Sequence, residues 1–214
     1  MRSFSVCALL LTLLCACGDG GLVDDDSRDV IALLRDAERT SERLGDLPGT
    51  AFDAMPTSGR ATFEGLGGVF IDPVIARDSD DLSIFGDARL DADFRRGTIT
   101  GRVDNLVGVQ GLNPATGERF DVDGTIEIGD RGSRIGAGAP NDARATYTAR
   151  LATEDRGTFD VRGTANGKFL GTRASEAGTA RAPRGLRLQD DDLTARRRGD
   201  DRILTGTFDV FGEN

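Results

Sequence analysis

The sequence predicts an all-β chain: an eight-stranded antiparallel up-and-down β-barrel, preceded by a signal peptide and one short N-terminal α-helix. Three observations carry this expectation. From Gly59 onward apolar residues recur at every second position, as Ile84, Gly86, Ala88, Leu90, Ala92 and Phe94 do against Phe85, Asp87, Arg89, Asp91 and Asp93. Such alternation marks half-buried antiparallel strands, one face dry and one wet. About eight such segments follow one another with short links, the count at which side chains just fill a closed barrel. The 29 glycines are about twice the usual share of roughly 7%. Gly86, Gly101, Gly124, Gly163, Gly171 and Gly206 all fall on the apolar face, where strands bend and bulky Phe needs room. A flat two-sheet sandwich is the alternative architecture. The core reads as packed, without a large lipocalin-like ligand cavity.

Residues 1–16 read as a cleavable export signal. Arg2 supplies the positive start, and the apolar run from Val6 to Leu14 is too short to anchor across a bilayer. The following Leu14-Cys15-Ala16-Cys17 resembles the lipobox of bacterial lipoproteins. That resemblance implies cleavage between Ala16 and Cys17 and makes Cys17 the lipid anchor, bearing diacylglycerol and acyl chains of the palmitate type. The alternative is an ordinary secretory signal with two incidental cysteines. Several chains on one residue hold nearly permanently, at about 0.8 kcal/mol per buried CH₂. Cys7 and Cys15 leave with the signal, so no disulfide is available even though the destination is oxidising. Residue 18 is Gly rather than Asp, which by the sorting pattern of such lipoproteins implies the outer membrane, with the cell surface and the periplasmic face both open.

Residues 17–26 then form an acidic, glycine-rich tether. Residues 27–58 hold the N-terminal helix and a linker. Ser27 offers an N-cap, Asp29 sits in the first turn, and Val30, Ile31, Leu34, Ala37 and Leu44 recur at helical spacing. Gly45 and Pro48 stop the helix, which is expected over 28–44 and packed on the body. A helix lying in a membrane surface carries a Lys/Arg-rich face and bulky aromatics, which this one lacks.

Residues 59–214 form the barrel, with strands expected near 60–66, 83–94, 97–106, 119–128, 143–152, 156–171, 176–182 and 202–211. A membrane-spanning barrel puts its apolar face outward between aromatic girdles. One tyrosine, Tyr147, and no Trp cannot build two girdles, so the barrel is expected to be soluble on its tether.

Composition excludes several chemistries. The chain has no His, so Ser-His-Asp or Cys-His catalysis and His-ligated metal are ruled out. A net charge of −9 argues against nucleic acid as the partner. Asp24-Asp25-Asp26, Asp78-Ser79-Asp80-Asp81 and Asp190-Asp191-Asp192 raise a calcium question. An EF-hand from Asp78 needs Gly where Ser83 stands and Glu where Arg89 stands, so these clusters read as solvated loop charge. Gly65-Leu66-Gly67-Gly68 and Gly136-Ala137-Gly138 do not complete a phosphate-binding G-x-G-x-x-G and read as turns between strands. Arg196-Arg197-Arg198 reads as a locally neutralised loop, the alternative being reception of a phosphate or an acidic partner. The ratio of 26 Arg to one Lys reads as codon bias. Phe85, on a polar face, either packs under Phe70-Ile71 from an insertion at 67–82 or belongs to a contact patch. Acidic residues are scattered along every wet face, so no acid-base pair stands out.

An ordered set of segments extends this reading. Gly59-Arg60-Ala61-Thr62-Phe63-Glu64-Gly65, then Gly86-x-Ala88-x-Leu90-x-Ala92-Asp93-Phe94, then Gly97-Thr98-Ile99-Thr100-Gly101-Arg102-Val103 come first. Gly167-Lys168-Phe169-Leu170-Gly171-x-x-Ala174-Ser175-Glu176-Ala177-Gly178-Thr179 follows late in the chain. The set resembles the eight-stranded barrel domain of the transferrin-binding protein B family of Gram-negative surface lipoproteins. The likeness covers roughly 59–212 and one barrel, without handle domain or second lobe. It implies the barrel fold, the lipid anchor and a binding role, and transfers no host-binding residue. The expected function is thus non-catalytic binding of a protein or small solute by an outer-membrane lipoprotein. A periplasm-facing structural or envelope-assembly role is the alternative, and an enzyme stands third. No cofactor, metal or catalytic residue is expected, and the ligand-binding residues stay unassigned.

Overall fold

The computed structural model describes residues 30–72, 81–111, 117–129, 132–174, 181–200 and 203–214. The helix α1, Val30–Gly45, is followed by a single 3-10 turn at Phe52–Ala54. The strands are β1 (Arg60–Asp72), β2 (Leu82–Asp93), β3 (Thr98–Gln110), β4 (Arg119–Asp121), β5 (Ile126–Ile128), β6 (Arg134–Ile135), β7 (Asp142–Thr153), β8 (Gly157–Leu170), β9 (Arg173–Ala174), β10 (Arg181–Ala182), β11 (Gly185–Arg197) and β12 (Ile203–Glu213).

Hydrogen bonding runs β2-β1-β12-β11-β8-β7-β5-β3, and β3 pairs back onto β2, which closes the sheet. Every pairing is antiparallel, and β4 and β5 take turns beside β3 as one interrupted strand. The chain therefore forms a closed eight-stranded up-and-down barrel. The last strand seals against the first over the register Glu64↔Glu213 to Asp72↔Thr205.

The alternation read from the sequence points inward. Phe63, Leu90, Ile99, Ile126, Leu151, Phe169, Leu186 and Leu188 are fully buried inside the ring. Phe169 packs its ring 5.8 Å from Phe63 and 5.6 Å from Phe94, spacings typical of favourable tilted aromatic pairs. Charged residues occupy the alternate, outward positions and pair across strands, as Arg89 does with Glu64 at 2.8 Å. Apolar inside and charged outside is the reverse of a membrane-spanning barrel.

One glycine matters structurally for closure at the broken strand. Gly108 lies opposite Phe120 in the β3–β4 register, and the Phe120 ring covers the space a side chain there would take. Arg156 stacks on that ring at 4.2 Å and donates to the Gln110 side chain at 3.0 and 2.9 Å. The guanidinium thus covers the edge that β4 leaves unpaired.

α1 lies on the outside of the barrel. Its Val30 is buried with Phe85 and Val109, and Leu33, Leu34, Leu66 and Val107 complete that outer cluster. Phe85 is therefore neither under Phe70-Ile71 nor part of an open patch: the helix covers it. At the other end of α1, Leu44 fills the space over Gly185, and Arg43 pairs with Glu213 at 3.0 Å. The linker then crosses one end of the barrel. The Thr50 N–H donates to the Phe169 carbonyl at 2.9 Å, the Asn141 amide donates to the Thr50 carbonyl at 2.9 Å, and Met55 packs on the core.

Three sequence expectations need correction. The seventh strand is β11 at 185–197, and of the expected 176–182 only Arg181–Ala182 is described as strand. The cause is a bulge between Asp190 and Leu193, which shifts the inward positions from Leu186 and Leu188 to Leu193 and Ala195 and hides the period. Consequently Asp190–Asp192 and Arg196-Arg197 lie on a strand rather than in loops. Gly65-Leu66-Gly67-Gly68 also runs inside β1. Phe63, Gly65, Gly67, Val69 and Ile71 continue one period of two, and the missing side chains conceal it.

Candidate functional site

Cys17, the expected lipid anchor, lies outside the described residues. So do Asp24–Asp26, Ser27, Asp29, Asp78–Asp80 and Ser175–Thr179. Asp81 is buried where β2 begins, and its carbonyl accepts the Gly111 N–H at 2.8 Å. Ser83 and Arg89, which break the EF-hand pattern, are part of β2. Gly136-Ala137-Gly138 does form the connection between β6 and β7. Among the described residues no three His, Cys, Asp or Glu side chains gather as a metal site.

The acidic triplet supplies one polar element inside the wall. Asp190 occupies an inward position of β11 next to the bulge, where β11 and β8 lose their pairing between Gln189 and Thr194. Its Oδ2 accepts the Tyr147 hydroxyl at 2.8 Å and the Thr164 N–H at 3.0 Å, and its Oδ1 accepts the Asp192 N–H at 3.0 Å. The Tyr147 ring stacks on Phe208 at 4.0 Å. Its hydroxyl, with the Asp190 carboxylate, fills the place a side chain on Gly163 would take. Burial, reinforced by the Asp190 carboxylate, pushes the Tyr147 phenol well above its ordinary value. The neutral phenol is held as a donor, and the group closes the gap in the β8–β11 ladder. With every Asp190 contact internal, this latch is structural.

On the outside of the same strands lies a shallow groove of about 560 Å³, lined by Thr148, Asp160, Arg162, Thr194, Arg196 and Ile203 together with Ala149 and Val161. The strand register explains why these residues meet. One row runs Thr148, Arg162, Thr194 and Thr205 across β7, β8, β11 and β12. The next row runs Arg150, Asp160, Arg196 and Ile203. Directly opposed side chains on such a face stand about 5 Å apart, so each row is a continuous strip of contact groups. Asp160 pairs with Arg198 at 3.1 Å, whereas among the described residues no hydrogen bond or ion pair engages Arg162 or Arg150. Ile203, at the rim, is 70% exposed. The groove thus offers guanidinium and hydroxyl groups beside three apolar residues, Ala149, Val161 and Ile203. Arg196 and Arg198 belong to the basic run noted in the sequence. Thr148, Arg162 and Thr194 were not singled out there. Their signal, outward positions on adjacent strands, becomes readable only once β11 is placed correctly.

No helix among the described residues is long and apolar enough to cross a membrane. No family model, curated protein or solved structure matches the chain.

Proposed function

We propose that the chain is a lipid-anchored lipoprotein of the outer membrane whose barrel is a non-catalytic binding module, meeting a protein or small solute through its outer wall and loops. The observation that carries this reading is the closed barrel whose inward side chains are buried in one apolar core. Tyr147, Phe63, Phe169 and Phe208 are the largest of the fully buried side chains there, so this reading assigns ligand contact to the outside. The groove over β7, β8 and β11 offers such a contact surface. The lipobox at Cys17 supports the anchor, and the resemblance to transferrin-binding protein B barrels supports a binding role at an envelope surface.

The anchor is tested by Cys17→Ala: lipid labelling is expected to disappear, and the protein to stay unprocessed or leave the membrane fraction. Continued detergent partitioning of that variant contradicts the anchor. Protease added to intact cells is expected to shave the barrel while a periplasmic marker survives. Protection until the outer membrane is opened favours the periplasm-facing structural role instead.

A further inference from the structure

We propose that the barrel mouth remote from the anchor docks an acidic protein surface, on a patch formed by Arg95, Arg96, Arg134 and Arg144. The proposal rests on the reading of the barrel as an anchored binding module, and names its presented surface and the chemistry of its partner.

The first argument is a pairing that the fold does not ask for. β6 is two residues long, and in its register with β7 Arg134 stands directly opposite Arg144. Like charges so opposed destabilise a sheet. Ile135 packs against the barrel core, and its N–H donates to the Gly97 carbonyl at 2.8 Å. β6 is thereby fixed, and the two arginines stay together. The other cross-strand neighbour of Arg144, Asn166 on β8, brings no charge. The bond to Gly97 also joins β6 to the turn between β2 and β3, which carries exposed Arg95 and Arg96.

The second argument is the local charge balance. Asp93 accepts from the Arg60 guanidinium at 3.1 Å and from the Arg96 N–H at 2.9 Å. Asp142 lies 3.7 Å from Lys168, and Asp91 lies 3.7 Å from Arg89. Glu127, further along the wall, faces Arg102 in the β3–β5 register. Asp130 and Arg131, outside the described residues, add one charge of each sign. Asp93 thus partly compensates Arg96. No ion pair or side-chain hydrogen bond ties Arg95, Arg134 or Arg144 to another described residue. In a chain of net charge −9, this rim is locally positive.

The course of α1 says which way the patch faces. Val30 packs with Phe85 and Val109 at the mouth where Leu82 pairs with Gln110. Leu44 lies over Gly185 at the mouth that holds the arginines. The chain towards Cys17 therefore leaves from the opposite mouth, separated from the patch by the 16 residues of α1, or about 24 Å. The arginines are turned away from the bilayer. Spread over a turn and two strands, they match carboxylates spread over a partner's surface.

The test is fluorescence anisotropy of labelled poly-L-glutamate titrated with the purified full chain in neutral detergent. Binding is expected at low ionic strength and should weaken steeply as salt is added. Arg134→Gln with Arg144→Gln should weaken it about tenfold, and Arg95→Gln several-fold. Arg119→Gln, at the opposite mouth, should leave it unchanged. Arg134→Gln alone should also raise the thermal midpoint by about 1–3 °C, because it relieves the opposed charges. No binding, or equal binding by the Arg134/Arg144 double variant, overturns the proposal. A lower midpoint for Arg134→Gln overturns it too, since the pair would then serve the fold. Binding to phosphatidylglycerol vesicles that needs Arg134 and Arg144, without binding of polyglutamate, overturns it in favour of a membrane surface. Absence of polyglutamate binding in a barrel that protease still shaves from cells defeats this proposal and leaves the anchored binding-module reading standing.

Discussion

Tyr147 is the single tyrosine of the chain, which makes it an internal reporter of the latch it forms with Asp190. Phenolate absorbance therefore titrates one site. Because the fold favours the neutral phenol, the stability this group contributes is fully present below the ordinary phenol value of 10.0 and is lost as pH rises beyond it. Folded protein is expected to show no phenolate where free tyrosine ionises, with ionisation arriving together with unfolding at higher pH. A normal titration in folded protein contradicts the buried hydrogen bond. Asp190→Ala strands the Tyr147 hydroxyl and the Thr164 N–H, and a loss of about 1–3 kcal/mol is expected in urea unfolding. Gly163→Ala forces a methyl group against the Tyr147 hydroxyl and the Asp190 carboxylate and should cost a similar amount, about 1–3 kcal/mol. If both variants unfold at the wild-type urea concentration, the latch adds nothing to the fold.

Among the elements, α1 and β11 show what the sequence makes legible and what it conceals. The helical spacing of Val30, Leu34 and Leu44 locates α1 to within a residue or two of Val30–Gly45, and the stop at Gly45 with Pro48 is local chemistry. What it covers is not local. Phe85 takes an outward position in β2, and only the tertiary arrangement brings Val30, Leu33 and Leu34 over it. Phe85→Ala is thus expected to cost about 3 kcal/mol, as in a core. Phe52→Ala, at a position 60% exposed, should stay within about 0.5 kcal/mol of wild type. Equal effects in thermal unfolding would mean that α1 does not pack as described. β11 escapes a period-two reading because its bulge at Asp190–Leu193 interrupts the alternation with charged residues that look like loop. The groove inherits that concealment. Arg162 is plainly outward in the sequence, yet its neighbours Thr148 and Thr194 come from strands whose register no local pattern specifies.

For the whole molecule, strand count and alternation were enough to foresee a closed barrel, because an eight-stranded sheet with one dry face has few other ways to cover it. Closure rests on β12, which pairs with β1 on one side and β11 on the other. Deleting residues 203–214 opens two strand edges and uncovers the core, so the truncated chain should aggregate. A soluble, folded truncation contradicts closure as a source of stability. The functional account depends most on the barrel being filled, since that assigns binding to the wall rather than to the interior. Titration of the native protein with an environment-sensitive apolar dye tests this most directly. The account predicts no saturable one-to-one uptake until the protein unfolds. Stoichiometric uptake by the folded barrel, with the Tyr147 signal perturbed, would reveal a hollow interior and contradict it.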